Sequence, residues 1–184
     1  MNHSAAITDE GKVIQWGLVG NRDYSEEMKS KAIVMNPTEV RFPERDTQIV
    51  EIKLGECVTI ALSNYRGEVW TWGANDVGQL GLGDTVPRIE PEKVTLLPKQ
   101  GIKVECGLKH CVVLCKNLTM YAWGDNSQGQ LGSKTEDGTQ FSSIPVAVEA
   151  YSEAQAWSLT SGYYHTIVFS ASAPGKSPTD LQME

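Results

Sequence analysis

Positive charge is scarce in this chain. Sixteen Lys plus Arg stand against 23 Asp plus Glu among 184 residues, a formal net charge of −7. Binding to phosphate backbones draws on basic residues, so direct nucleic-acid binding is not expected. Long apolar runs are also missing. Nothing approaches the roughly 20 residues needed to cross a bilayer, and Met1 to Glu10 is polar, without the apolar centre of a secretory signal. These absences imply no membrane span and an intracellular protein, cytoplasmic or nuclear. Cysteine occurs only at Cys57, Cys106, Cys111 and Cys115, in apolar stretches rather than the close pairs that hold zinc, so buried free thiols are expected. No Gly-rich loop ends in Lys-Ser/Thr, and no serine sits in a nucleophile elbow. The expectation is a protein that is not an enzyme and uses no cofactor and no metal.

What the sequence has instead is repetition. Trp-Gly occurs at Trp16-Gly17, Trp72-Gly73 and Trp123-Gly124, spaced by 56 and 51 residues. Each pair ends a short alternating segment of strand character, Lys12 to Trp16, Glu68 to Trp72 and Thr119 to Trp123. A second apolar segment precedes each one: Ala5-Ala6-Ile7, Thr59 to Leu62, and Cys111 to Leu114. Turn-forming residues lie between, so three antiparallel hairpins are expected. A further copy, within Tyr163 to Ser170, reads as a lone strand with no Trp-Gly after it.

Other markers keep the same period. Gly107-Leu108-Lys109-His110 and Gly162-Tyr163-Tyr164-His165 share a Gly-x-x-His pattern; the middle copy has Gly55 but Val58, and the first retains His3. After two of the Trp-Gly pairs come glycine-rich turns, Gly73 to Gly83 and Gly124 to Gly132, each with a Gln-Leu-Gly whose leucine should anchor inward. Pro91 to Val94 and Pro145 to Val148 follow, and proline there suits an outer strand that can spare one ladder donor. A period of just over 50 residues holding about four short strands indicates an all-β β-propeller. The one stretch that could form a helical turn is Asp23 to Met35.

With Trp-Gly-x-Asn-x-x-Gly-Gln-Leu-Gly and Gly-x-x-His both in place, the chain resembles the regulator of chromosome condensation repeat family over about residues 3 to 170. The resemblance implies blades of four antiparallel strands in an incomplete propeller of about three blades plus one strand, with units around 3–50, 51–101 and 102–160 and a last strand at 163–170. Residues 171–184, with Pro174, Gly175 and Pro178, read as a disordered tail or linker. Three blades do not close a ring of the family's usual seven, so the remaining blades are expected from a longer parent chain or a second copy. The family further implies a protein-protein interaction module of a larger scaffold or regulator; the alternative is guanine-nucleotide exchange on a small Ran-type GTPase.

Residues that recur at one repeat position read first as scaffold. Trp16, Trp72 and Trp123 are expected in equivalent buried sites. The recurring histidines are expected to bond the backbone of a neighbouring blade. Partner contacts belong to what departs from the repeat. The first unit lacks Gly-Gln-Leu-Gly and carries Asp23 to Asn36 in its place. The protein-binding candidates are therefore Asp23, Tyr24, Glu26 and Glu27 in that stretch, Asp76 and Asp125 in the turns, and His110 and His165 before the strands.

Overall fold

The computed structural model describes residues 3–19, 32–135, 138–148 and 155–171, whose regular structure is thirteen β-strands in four antiparallel sheets. The first sheet holds β1 (His3–Ile7), β2 (Val13–Leu18) and β3 (Ile33–Glu39). The second holds β4 (Ile49–Leu54), β5 (Val58–Ser63), β6 (Val69–Gly73) and β7 (Arg88–Lys93) in that order. The third repeats it with β8 (Gly101–Cys106), β9 (His110–Cys115), β10 (Met120–Asp125) and β11 (Phe141–Ala147). In the fourth, β12 (Gln155–Ser161) pairs with β13 (Thr166–Ala171).

The three predicted hairpins form, and their registers coincide. Trp16 lies opposite Ser4, Trp72 opposite Thr59 and Trp123 opposite Cys111, each one place beyond the histidine position. On its other side every Trp-Gly strand meets a proline-bearing strand, and the register slips at the tryptophan in all three sheets. This bulge bends the outer strand at the same point of each blade. Pro37, Pro91 and Pro145 all sit on that last strand, where one lateral donor is dispensable.

The expectation of a lone last strand needs correction. The last strand is not alone, because β12 pairs with it. The first strand of each later blade, β4, β8 and β12, carries no motif of its own and escaped the sequence reading. These three strands approach one another across the blades and form the inner wall. Polar bonds tie them: Lys53 Nζ donates to Glu105 Oε1 at 2.8 Å, the Val104 N–H to Glu51 Oε2 at 3.2 Å, and Lys103 Nζ to Ser158 Oγ at 2.9 Å.

Alternation along the strands gives every blade two apolar faces, and each seam between blades has its own core. Val13, Ala61, Trp70 and Trp72 fill the first seam; Ile60, Val69, Val113 and Trp123 the second; Val112, Met120, Leu131 and Leu159 the third. The tryptophans face the preceding blade. Trp72 donates its indole N–H to Gln15 Oε1 at 2.8 Å, and Trp123 to the Gln79 carbonyl at 3.0 Å. Trp16 is only partly buried, against expectation, because among the described residues no sheet precedes its own. Cys106, Cys111 and Cys115 are buried free thiols, whereas Cys57 is partly exposed.

Candidate protein-interaction surface

The Gly-Gln-Leu-Gly turns explain their own sequence. Asn75 Oδ1 accepts the Leu80 N–H at 3.0 Å, and Gln79 Oε1 accepts the Val77 N–H at 2.9 Å. Asn126 and Gln130 repeat both bonds with Leu131 and Gln128. The turns thereby press Leu80 and Leu131 into the cores, as predicted. Gly81 has φ +71°, and a Cβ there would stand 2.7 Å from Trp123 Nε1, so the turn must be glycine for the next blade's indole to seat.

The Gly-x-x-His loops lie against these turns. The Glu56 N–H donates to the Leu108 carbonyl and the Leu108 N–H to the Tyr163 carbonyl, both at 3.0 Å, so the loops are linked blade to blade. Lys109 Nζ reaches back to Asp76 Oδ2 at 2.7 Å, and that contact holds its pKa above the usual lysine value. The Lys109 ammonium also feels Glu56 and Asp125. This end of the molecule therefore gathers three carboxylates around one ammonium.

The histidines belong to the seams. His3 Nε2 is 3.1 Å from Thr59 Oγ1, and His110 Nε2 is 3.1 Å from Thr166 Oγ1, so the partner is a hydroxyl rather than the expected backbone group. Thr166 Oγ1 in turn donates to the Gln130 carbonyl at 3.4 Å, which makes His110 Nε2–H the donor to Thr166. His110 Nδ1 is buried and has no partner among the described residues, and a Cβ on Gly107 would overlap the ring beside it. A proton there would be an unsatisfied buried donor. Burial takes both rings down to about 4, with Asp125 opposing the shift at His110.

The candidate residues separate accordingly. His110 is fully buried and presents nothing to a partner, which removes it from the candidates. Asp23, Tyr24, Glu26 and Glu27 lie outside the described residues. Asp76 is exposed and Asp125 partly so, both on the turn end, and His165 is exposed on the last Gly-x-x-His loop. The sequence reading missed Tyr163 and Tyr164, which are 58% and 54% exposed on the same loop as His165. Their aromatic character within a repeated loop was the available signal. Among the described residues no three His, Cys, Asp or Glu side chains are grouped to hold a metal ion.

The model of the regulator of chromosome condensation (RCC1) repeat matches residues 66–114 and 119–169, together more than half of the chain. The chain belongs to the RCC1 repeat family. A second RCC1 repeat model matches residues 102–130. Among relatives, rat alsin is 37% identical over 107 residues, 58% of this chain and 6% of its own length. Human E3 ubiquitin-protein ligase HERC2 is 34% identical over 140 residues, 74% of this chain and 3% of its own length. The chain thus spans a small fraction of these relatives. The RCC1 fold is shared with Prp20p from Saccharomyces cerevisiae, at a TM-score of 0.77 and 20% identity over 98% of this chain and 44% of that one. Human WBSCR16 follows with a TM-score of 0.73 and 21% identity, over 93% of this chain and 43% of the other. The sheets described here are RCC1 blades that do not close into a ring.

Proposed function

We propose that this RCC1-repeat chain is a binding module that acts without covalent chemistry and presents its turn-and-loop end to a protein partner with basic groups. One observation carries the reading. The repeated motif residues are consumed by seams and turns, while Glu56, Asp76 and Asp125 converge at one end with the exposed Tyr163 and Tyr164. Tyrosines are enriched where interfaces gain their energy, and a carboxylate rim steers a basic partner. His165 stands beside them and completes the candidate surface.

The second reading, exchange on a small GTPase, is favoured by the likeness to Prp20p, whose structure was described with its binding to Gsp1p and histones. The identity is low and the likeness is one of fold, so the first reading is preferred. One experiment separates them. Proteins retained from cell extract by the wild-type chain are compared with those retained by Glu56→Lys/Tyr163→Ala, after circular dichroism shows that both are folded. Loss of the retained set in the variant is expected. Retention unchanged by the variant would sink the proposed surface, and accelerated nucleotide release from a retained GTPase would establish the second reading.

A further inference from the structure

One rung recurs in the three later sheets, where the end of the inner strand faces the strand that follows it. The rung is Leu54 with Thr59 in the second sheet, Cys106 with Cys111 in the third and Ser161 with Thr166 in the fourth. Cysteine therefore stands on both sides of it in one blade and on neither side in the others. The apolar seam accounts for Cys111, which lies in one core with Val58. Packing asks for no thiol at Cys106, because a leucine or a serine fills that place elsewhere.

The backbone brings the two sulfurs together. The Gly107 N–H donates to the His110 carbonyl at 2.8 Å, which makes the next rung, Cys106 with Cys111, an unbonded pair of the antiparallel ladder. The Cα atoms of such a pair lie about 4.5 Å apart, inside the roughly 4.4–6.8 Å that a disulfide spans. Both side chains enter the core of the second seam, and their Sγ atoms are 3.6 Å apart. Bonding distance is about 1.5 Å closer, which small rotations about the two Cα–Cβ bonds supply. The remaining cysteines are placed differently. Cys57 is partly exposed just ahead of β5, and Cys115 Sγ donates to the Lys99 carbonyl at 3.6 Å.

We infer that Cys106 and Cys111 are an oxidation site, two thiols that a hydroperoxide converts to a cross-strand disulfide and a dithiol reductant restores. Cys106 reacts first, since it is 8% exposed at the end of β8 whereas Cys111 is fully buried. Burial, and then the sulfur beside it, also hold the Cys111 proton well above the usual thiol range. The Cys106 sulfur attacks one peroxide oxygen; the O–O bond breaks, a sulfenic acid forms, and the other oxygen leaves as water with the thiol proton. The Cys111 sulfur then displaces the sulfenic oxygen. The S–S bond forms, the S–O bond breaks, and a second water carries off the Cys111 proton. The two thiols have lost two electrons to the peroxide. Leu108 and Lys109, directly above the pair, are only partly buried, and opening of this hairpin end admits a molecule little larger than water.

The disulfide also alters what stands on it. Cys106 Sγ donates to the Gly107 carbonyl at 3.4 Å, a bond that oxidation removes. Gly107 begins the loop that ties three blades together, through Glu56 to Leu108, Leu108 to Tyr163, and Lys109 to Asp76. Oxidation thus resets the base of that loop without adding charge.

The test uses the full chain, as wild type and as the variant Cys57→Ser/Cys115→Ser, which keeps only the pair. Hydrogen peroxide is added to the folded protein, and the remaining thiols are alkylated after denaturation and counted by mass spectrometry. The variant is expected to lose both thiols and about 2 Da, and to regain both with dithiothreitol. Fragment-ion mapping of the wild type should assign the same link, Cys106 to Cys111, without any substitution. By NMR the amide signals of Glu56, Gly107, Leu108 and Lys109 should move on oxidation, while those of Asn64 and Arg66 at the opposite end of the second blade stay in place. Unreacted Cys106 and Cys111 in wild type whose Cys57 is fully oxidised would overturn the inference. So would sulfinic acid at Cys106 without a cross-link, or a disulfide joining either cysteine to another partner. A disulfide that forms and leaves the loop amides unmoved would overturn its link to the loop.

Discussion

The outer seams and the middle seam occupy the same positions with different chemistry. In the first and third seams a buried histidine meets a threonine, His3 with Thr59 and His110 with Thr166. In the middle seam the same two positions are Val58 and Cys111, and both sit in one apolar core. Each member differs from its counterparts in the other blades, and the two differ together. The unit of substitution in this repeat is therefore the pair across a seam rather than the blade. A polar residue in a dry seam must bring its partner, since an orphaned buried group costs about 1–3 kcal/mol, whereas an apolar pair asks only for shape.

The largest test of that comparison asks whether the tryptophan or the pair dominates a seam. Trp123→Ala in the apolar seam and Trp72→Ala in a His–Thr seam should each cost about 3–5 kcal/mol in denaturant unfolding. Trp16→Ala should cost clearly less, because that ring is only partly buried. Equal losses at all three positions would contradict the seam assignment.

Acid should separate the two kinds of seam. A histidine held at about 4 in the folded chain and near 6.5 when unfolded takes up its proton preferentially in the unfolded state. Its contribution is thus complete above pH 6.5 and is lost as pH falls from there to about 4, amounting to about 3 kcal/mol for each ring. The double variant His110→Val/Thr166→Cys, which copies the middle seam, should lose one histidine's share of this slope. Parallel pH profiles for variant and wild type would show that His110 is not titrating as the seam demands.

At neutral pH the coupling itself can be measured. His110→Val alone takes away the N–H that Thr166 Oγ1 accepts, leaving that buried oxygen only its bond to the Gln130 carbonyl, and should cost about 1–3 kcal/mol, while adding Thr166→Cys should recover part of that loss. Strict additivity of the two substitutions in a double-mutant cycle would break the pairing argument. The smallest effect lies outside the seams' cores. Lys109→Ala removes the ion pair with Asp76 between two blades, and its partly exposed groups should yield about 0.2–1 kcal/mol, fading in high salt.

Much of the fold was legible because propeller blades are local. Hairpins, the Trp-Gly strands, the anchoring Leu80 and Leu131 and the outer proline strands all follow from residues within about 40 positions of one another, where alternation and turn chemistry act directly. The inner strands β4, β8 and β12 were not, since their mixed residues, such as Ile49, Glu51 and Lys53, take their places only from contacts with the next blade. Tertiary structure alone decided that His110 disappears into a seam, against Thr166 of the following blade, while His165, at the same repeat position, is exposed where no further sheet follows among the described residues. It also decided that Glu56, Asp76 and Asp125 share one end with Tyr163 and Tyr164. A repeat fixes what each blade looks like, but a side chain's burial depends on the neighbour supplied some 50 residues away, and no local pattern carries that information.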